Sequence, residues 1–155
     1  MSAEHASRSP DKTRLRFWFR TYGAVAAMER EISARLRERF GCSLGRFDLM
    51  AHLFAAPEGL TMSALSDRRF ITGGAVTGLV ERLAKEGLVL REVDATDRRV
   101  YRVVLTARGQ ALFTEMAGEH ETWVEALTAG LEPRALEQAT ATMEAWRRRL
   151  AEHPR

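Results

Sequence analysis

The sequence predicts a mainly α-helical protein with one small β-hairpin. Three observations along its 155 residues support this prediction. Apolar residues repeat at steps of three, four and seven over long stretches, which is the period of amphipathic helices. One segment, residues 88–105, instead contains two runs rich in β-branched residues around a polar turn. Glycine and proline divide the helical stretches into separate elements.

A long first helix is predicted over residues 12–40, and Gly41 supplies its end. Its apolar stripe consists of Leu15, Trp18, Tyr22, Val25, Ile32, Leu36 and Phe40. Residues 1–11 are polar and carry no periodic pattern, so we expect a disordered N-terminal arm and no signal peptide there.

Three shorter helices come next, from about Gly45 to Ala55, from Thr61 or Met62, and over residues 73–86. They are followed by Leu88–Val93 and Val100–Leu105, two strand patterns joined by turn residues. Two short helices followed directly by a strand, a turn and a strand are typical of a winged helix-turn-helix. We expect this domain over residues 44–106.

Two more helices are predicted over residues 107–152, with Thr106 as the first N-cap and Pro133 opening the last helix. A winged domain of this size is too small to cover their apolar stripes together with that of residues 12–40. We therefore expect residues 12–40 and 107–152 to be dimerisation helices that pair with a second copy. The alternative is a monomeric bundle that packs its own ends together.

Charge is unevenly distributed around a net value of +3 and a pI of about 9.6. Residues 60–110 carry nine Lys or Arg against six Asp or Glu, whereas residues 111–155 carry five against eight. A basic segment in the middle of the chain is expected if that segment contacts the phosphates of a nucleic acid. The absence of a long apolar run argues against a membrane span, and the single cysteine, Cys42, fits a reducing cytoplasm.

The motifs that would indicate an enzyme are absent from the sequence. There is no G-x-S-x-G and no nucleotide-binding loop, and the four histidines lack the spacing of a metal site. The carboxylates are scattered as pairs on helix surfaces. We expect neither catalysis nor a cofactor or metal.

The fourth helix has two different sides. Its apolar side consists of Val76, Leu79, Val80 and Leu83, whereas its other side contains Gly78. Each helical glycine costs roughly 1 kcal/mol relative to alanine, so a bare outward surface points to close approach of DNA. The alternative is a frayed helix start. The candidate DNA contacts in and before this helix are Arg68, Arg69, Thr72, Gly73, Gly74, Thr77, Gly78, Arg82 and Lys85.

Arg98 and Arg99 occupy the predicted turn of the hairpin. An arginine at the tip of such a ribbon can enter the minor groove, whose negative potential attracts it. The alternative is a solvated turn in which an arginine pairs with Asp94 or Asp97.

Several segments together resemble the MarR family, continuously from about residue 44 to residue 109. They are Gly59–Leu65, Val76–Leu83, Glu86–Val89, the D-x-x-D-R-R of Asp94–Arg99, and the L-T-x-x-G of Leu105, Thr106 and Gly109. The resemblance implies an obligate dimer of triangular outline, whose terminal helices form the interface. Each lobe would place one recognition helix in the major groove of double-stranded, pseudo-palindromic operator DNA, with Arg98 or Arg99 as the wing arginine.

The resemblance also implies release from DNA by a small molecule, often a phenolic or aromatic carboxylate, held between the dimer helices and the DNA lobes. Residues 15–18 together with 46–48 look like the branch that controls aromatic-acid catabolism. The candidate ligand residues are Arg16, Trp18, Phe19, Arg20, Arg46, Phe47 and His52. The alternative for these residues is ordinary core and surface packing.

The sequence is compatible with two alternative functions. Some relatives respond to oxidants, which would make Cys42 a thiol sensor, although Cys42 follows the first helix rather than lying near its start. The other possibility is a protein-interaction module whose winged domain no longer binds DNA.

Overall fold

The computed structural model describes residues 12–67 and 73–152, which form six helices and a three-stranded sheet. The elements in chain order are α1 Lys12–Phe40, α2 Leu44–Phe54, β1 Leu60–Thr61, α3 Met62–Ser66, α4 Gly73–Lys85, β2 Val89–Val93, β3 Tyr101–Leu105, α5 Ala107–Thr128 and α6 Pro133–Ala151. The disordered arm predicted for residues 1–11, and the candidate residues Arg68, Arg69 and Thr72, lie outside the described residues.

The predicted mainly α fold with a small β-wing is confirmed, and side-chain and glycine caps account for the element ends. Ser43, Thr61 and Thr106 accept backbone N–H groups with their side-chain oxygens at the starts of α2, α3 and α5, over 3.0–3.2 Å. Gly41 ends α1 with a φ of +60°, and Pro133 opens α6.

The sheet has one strand that the sequence pattern did not predict. β1 pairs antiparallel with β3, with Leu60 opposite Val103, and gives the strand order β1-β3-β2. Two residues are too few to show an alternating pattern, so β1 is defined by its partner strand. Gly59 precedes it with a φ of +80°, and a Cβ there would lie 2.8 Å from the Val103 carbonyl oxygen.

The described residues up to His120 form one compact unit with an apolar core. The predicted inward side of α4 is confirmed, because Val76, Leu79, Val80 and Leu83 are all buried. The other buried side chains of this unit come from α1, α2, α3, β3 and α5 and include Leu36, Leu49, Met50, Leu53, Leu65, Val103 and Met116. This core fixes the orientation of α4, and therefore decides which of its residues face outward.

The apolar stripe of α1 is exposed in the N-terminal half of the helix and partly buried in the C-terminal half. Ile32 and Leu36 are buried, whereas Leu15, Trp18 and Tyr22 are about half exposed or more. The second compact unit begins at Glu121, and in it α6 buries none of its residues. Among the described residues, no helix is both long enough and apolar enough to cross a membrane.

Candidate nucleic-acid interface

The outward side of α4 consists of polar, cationic and glycine positions. Thr77, Glu81, Arg82 and Lys85 are exposed, and Gly78 lies among them. A Cβ built on Gly78 meets no atom within 4 Å. The helix surface there is therefore open, and no packing requirement in the described residues accounts for glycine at this position. Gly73 and Gly74 form the first turn of the same helix.

The C-terminal end of α4 is closed by a Schellman motif. The Leu88 N–H donates to the Leu83 carbonyl over 2.9 Å, and the Gly87 N–H donates to the Ala84 carbonyl over 3.0 Å. Gly87 has a φ of +70°, as this motif requires. The chain then enters β2 at Val89, so the helix and the first strand of the wing are joined by a short, hydrogen-bonded turn.

The base of the wing is organised around Asp94. One carboxylate oxygen accepts the Thr96 N–H over 2.8 Å, the Thr96 hydroxyl over 2.6 Å and the Asp97 N–H over 3.1 Å. The other accepts the Arg102 guanidinium, which also donates to the Gly59 carbonyl over 3.2 Å. The Thr96 hydroxyl and the Arg102 guanidinium hold the pKa of Asp94 well below its usual range. This network ties the turn to β3 and to the start of β1.

The tip of the wing has few contacts of its own. Arg98 and Arg99 are exposed, and the side chain of Arg99 is 95% exposed. The Arg99 N–H donates to the Asp97 carboxylate over 3.0 Å, while its guanidinium lies 3.5 Å from that carboxylate. Of the two pairings weighed from the sequence, Arg99 with Asp97 is therefore present, but it is long and solvated. Asp94 is instead engaged by Arg102.

The L-T-x-x-G motif joins the wing to α5. The Thr106 hydroxyl donates to the Gly87 carbonyl over 2.7 Å, and the Thr106 N–H donates to the Leu88 carbonyl over 3.0 Å. A Cβ on Gly109 would lie 2.0 Å from the Leu88 carbonyl oxygen. Glycine is therefore required where the first turn of α5 contacts the chain between α4 and β2.

The candidate ligand residues of α1 lie on its exposed N-terminal half. Arg16, Trp18, Phe19 and Arg20 are all exposed, and the ring of Trp18 stacks against Tyr22 with centroids 6.0 Å apart. These cations and aromatic rings are accessible to a ligand, and they are equally accessible to a partner chain.

The candidate ligand residues of α2 have other partners. Arg46 forms two hydrogen bonds to the Glu86 carboxylate, of 2.8 and 2.6 Å. Phe47 is buried, with its ring centroid 5.5 Å from that of Phe113 and 4.9 Å from that of His120. His52 is half-buried. Arg46 would have to leave Glu86 before it could bind a ligand carboxylate through the same two nitrogens.

A cavity of about 330 Å³ lies at a different position from these candidates. Its lining comes from the end of α2 and the loop after it, the end of β3 and the start of α5, and consists of Leu53, Phe54, Pro57, Leu105 and Gln110. Phe54 is partly exposed there, and its ring centroid is 4.9 Å from that of Phe113. No pattern in the sequence pointed to this cavity, because its walls come from three separate elements.

Cys42 is buried, and its thiol donates to the Ser43 carbonyl over 3.3 Å. Burial raises the pKa of this thiol, although the neighbouring Arg46 opposes the shift. Since the thiolate is the reactive form, these surroundings disfavour oxidation. Among the described residues, no cluster of three or more His, Cys, Asp or Glu side chains could hold a metal ion.

Comparison with known proteins identifies the family. A model described as the MarR family matches residues 40–100. The HTH-type transcriptional repressor YetL of Bacillus subtilis is 31% identical over 88 residues, which are 56% of this chain and 53% of YetL. The uncharacterized HTH-type transcriptional regulator YcgE of the same organism is 33% identical over 108 residues, which are 69% of this chain and 67% of YcgE. The chain belongs to the MarR family of transcriptional regulators.

Solved structures agree with the assignment to the MarR family. A MarR family regulator from Silicibacter pomeroyi has a TM-score of 0.77 at 26% identity, over 92% of this chain and 98% of that one. Sco3205, a MarR family regulator from Streptomyces coelicolor solved in complex with DNA, has a TM-score of 0.77 at 23% identity, over 92% and 90%. The alignments with the first curated relatives span only about half of those proteins, 53% of YetL and 57% of the regulator MhqR.

The sequence therefore identified the MarR family correctly, whereas the aromatic-acid branch stays a prediction. Sequence reasoning missed Asp94 with Arg102, and Arg46 with Glu86, as structural pairs. The second pair joins residues that are 40 positions apart, and neither periodicity nor a local motif reports such a contact.

Proposed function

We propose that this MarR family protein is a sequence-specific DNA-binding regulator that acts as a dimeric repressor in the cytoplasm. One observation carries the proposal: the winged domain exposes Thr77, Arg82 and Lys85 around Gly78 on α4, and the arginines Arg98 and Arg99 at the wing tip. A bare, partly cationic helix surface fits the major groove, and an arginine-tipped ribbon fits the minor groove. Sco3205, of similar fold, was solved with DNA, which supports this use of the fold.

DNA binding is tested with two duplexes of equal length, one from upstream of the protein's own gene and one of random sequence. We expect tighter binding to the upstream duplex, with an association constant that falls linearly with salt concentration on logarithmic axes. A preferred site can also be selected from a pool of random sequences. Equal affinity for upstream and random DNA, together with no enriched sequence in the selection, contradicts the proposal.

We also propose that α1, α5 and α6 are dimerisation helices. Leu15, Tyr22 and Val25 of α1 are more than half exposed, as is Leu150 of α6. Apolar surface of this extent on helices mostly marks an interface. Sedimentation of the full chain should therefore give a dimer. Leu150→Glu should shift it towards monomer while Glu152→Gln, two residues away, should not. A wild-type monomer contradicts this proposal.

Finally, we propose that a small aromatic carboxylate or its thioester releases the repressor from a pseudo-palindromic operator. The exposed Arg16 and Arg20 can pair with a carboxylate, and Trp18 and Phe19 beside them can cover a ring. Benzoate and benzoyl thioesters should quench tryptophan fluorescence, raise the melting temperature and weaken operator binding.

A pair of variants locates the effector site. Arg16→Gln should abolish the thermal shift if the exposed half of α1 binds the carboxylate, whereas Phe54→Ala should leave it unchanged. The reverse result would move the site to the cavity beside Phe54. No thermal shift with any such compound, for a protein that binds its operator, contradicts the proposed ligand class.

A further inference from the structure

We propose that Glu86 is a positioning residue for operator binding, held by arginines from two other helices. It would fix the point at which α4 turns into the wing. The inference rests on the proposed DNA-binding function and adds to it a residue that touches no DNA itself.

The contacts at Glu86 come from residues far away in the chain. Two nitrogens of the Arg46 guanidinium donate to the two carboxylate oxygens of Glu86, over 2.8 and 2.6 Å. Arg108, at the start of α5, donates from its guanidinium to the Glu86 backbone carbonyl over 3.0 Å. Side chain and backbone of one residue are therefore held from two directions. The paired geometry with Arg46 also restricts rotation more than a single hydrogen bond would.

Each of these three charges lies at the unfavourable end of its own helix. Arg46 is in the first turn of α2 and Arg108 is in the first turn of α5, where the helix dipole is positive. Glu86 directly follows Lys85, the last residue of α4, where the dipole is negative. Local helix energetics opposes all three placements. Their common explanation is the tertiary contact that brings them together.

The position of Glu86 links both of the surfaces proposed to contact DNA. It is followed by Gly87, whose φ is +70°, and then by β2 from Val89. A rotation of the chain at Glu86 would therefore move α4 and the wing relative to α2 and α5. The Thr106 hydroxyl, which donates to the Gly87 carbonyl over 2.7 Å, restrains the next peptide in the same way.

The Arg46–Glu86 pair is poorly placed to serve stability alone. The Glu86 side chain is 44% exposed and that of Arg46 is 20% exposed, so solvent screens the carboxylate side of the pair, which limits its contribution to the folding free energy. The Nε of Arg46 is buried without a hydrogen-bond partner among the described residues. We therefore expect that loss of the pair leaves the protein folded and changes the way it holds DNA.

The experiment compares full-length wild type with Glu86→Gln, Arg46→Lys, Arg46→Glu and the charge-swapped double variant Arg46→Glu/Glu86→Arg. Glu115→Gln, an exposed carboxylate on α5, controls for the loss of one negative charge. For each protein, affinity is measured at fixed salt for the DNA that wild type selects from a random pool and for random DNA. Thermal unfolding of each variant is recorded in parallel.

We expect Glu86→Gln to lower the ratio of specific to random affinity by about tenfold, the size of effect that coupled residues of one network show. Its affinity for random DNA should be unchanged, because α4 retains Arg82 and Lys85 even when its position is less well fixed. Arg46→Lys, which keeps the charge but loses the paired geometry, should lower the ratio less. The double variant should recover most of the ratio of specific to random affinity that Arg46→Glu loses. Glu115→Gln should have the same ratio as wild type.

An unchanged ratio in Glu86→Gln, or a double variant no better than Arg46→Glu, overturns the inference. If Glu86→Gln unfolds, an Arg46→Lys variant that is folded and has a wild-type ratio overturns it as well. A wild type that shows no preference between selected and random DNA is a different outcome. It overturns the proposed function itself, and the inference with it.

Discussion

The base of the wing and its tip contain the same residue types in opposite surroundings. At the base, Arg102 is engaged by the buried Asp94 carboxylate and by the Gly59 carbonyl. At the tip, Arg98 is exposed and Arg99 makes one long, solvated contact with Asp97. Arginines only a few residues apart therefore differ in availability: the first holds the hairpin in place, and the other two are free to reach towards a partner.

Glycines show the same contrast. A Cβ on Gly109 would lie 2.0 Å from a backbone oxygen, whereas a Cβ on Gly78 would meet nothing within 4 Å. The first glycine is required by the fold, and the second has no packing reason in the described residues. Residue type alone therefore does not indicate a role, and the surroundings separate structural positions from candidate DNA contacts.

Among the glycines, the largest effect on stability is expected at Gly109. Gly109→Ala should lower the free energy of unfolding by about 3 kcal/mol, because the new methyl group overlaps the Leu88 carbonyl and backbone must move. Gly118→Ala in the same helix is the control, since a Cβ there meets nothing within 4 Å, and it should raise stability by about 1 kcal/mol. Denaturant unfolding measures both. Similar stability of the two variants would remove the contrast between required and open glycines.

A smaller loss of stability, with a characteristic pH dependence, is expected for Asp94→Asn. The native contacts lower the pKa of Asp94, so its carboxylate stabilises the folded state above the ordinary carboxyl pKa. That contribution is lost progressively as pH falls from the ordinary carboxyl pKa down through the lowered one. The difference in unfolding free energy between wild type and Asp94→Asn should therefore be constant from neutral pH to mild acid and should shrink in strong acid.

Asp97→Asn is the matched control for Asp94→Asn, since Asp97 is exposed and accepts the Arg99 N–H at the tip. It should change stability much less at every pH in thermal unfolding. Equal losses for the two aspartates would show that base and tip do not differ as described.

At the wing tip the effect should be on DNA and not on folding. Arg99→Ala and Arg98→Ala should each weaken operator binding by about 1–3 kcal/mol if the side chain reaches bases, and should reduce the salt dependence if it reaches phosphate. Their unfolding free energies should stay within about 0.5 kcal/mol of wild type. Titrations at several salt concentrations measure both quantities. If neither variant alters operator affinity, the proposed minor-groove role is wrong.

A small change in stability, of the opposite sign to that at Gly109, is expected at Gly78. Gly78→Ala should raise the free energy of unfolding by a few tenths to about 1 kcal/mol, because alanine is the better helix former and the site is open. The methyl group would lie between helix and duplex, so operator affinity should fall by about tenfold, or roughly 1.4 kcal/mol.

Leu83→Ala, on the buried side of the same helix, should behave in the opposite way. It should lose stability first, by about 2–5 kcal/mol, and DNA binding only as a consequence. A destabilised Gly78→Ala with unchanged operator affinity would mean that the wrong side of α4 was assigned to DNA.

The sequence by itself determined the element types, most of their bounds and the orientation of α4. These properties follow from local signals. Val76, Leu79, Val80 and Leu83 share one side of any α-helix, and glycines and prolines end or open helices wherever they occur. The resemblance of several segments to the MarR family also predicted the family correctly.

Only the tertiary structure decided which groups meet. Asp94 has four arginines within eight residues of it, and Arg102 is the one that engages it, because antiparallel pairing of β2 with β3 brings Arg102 to the base of the hairpin. Arg46, a candidate ligand residue, is paired with Glu86 because α2 and α4 pack together. Long-range contacts of this kind depend on how elements pack, and the local periodicity of a sequence carries no information about that.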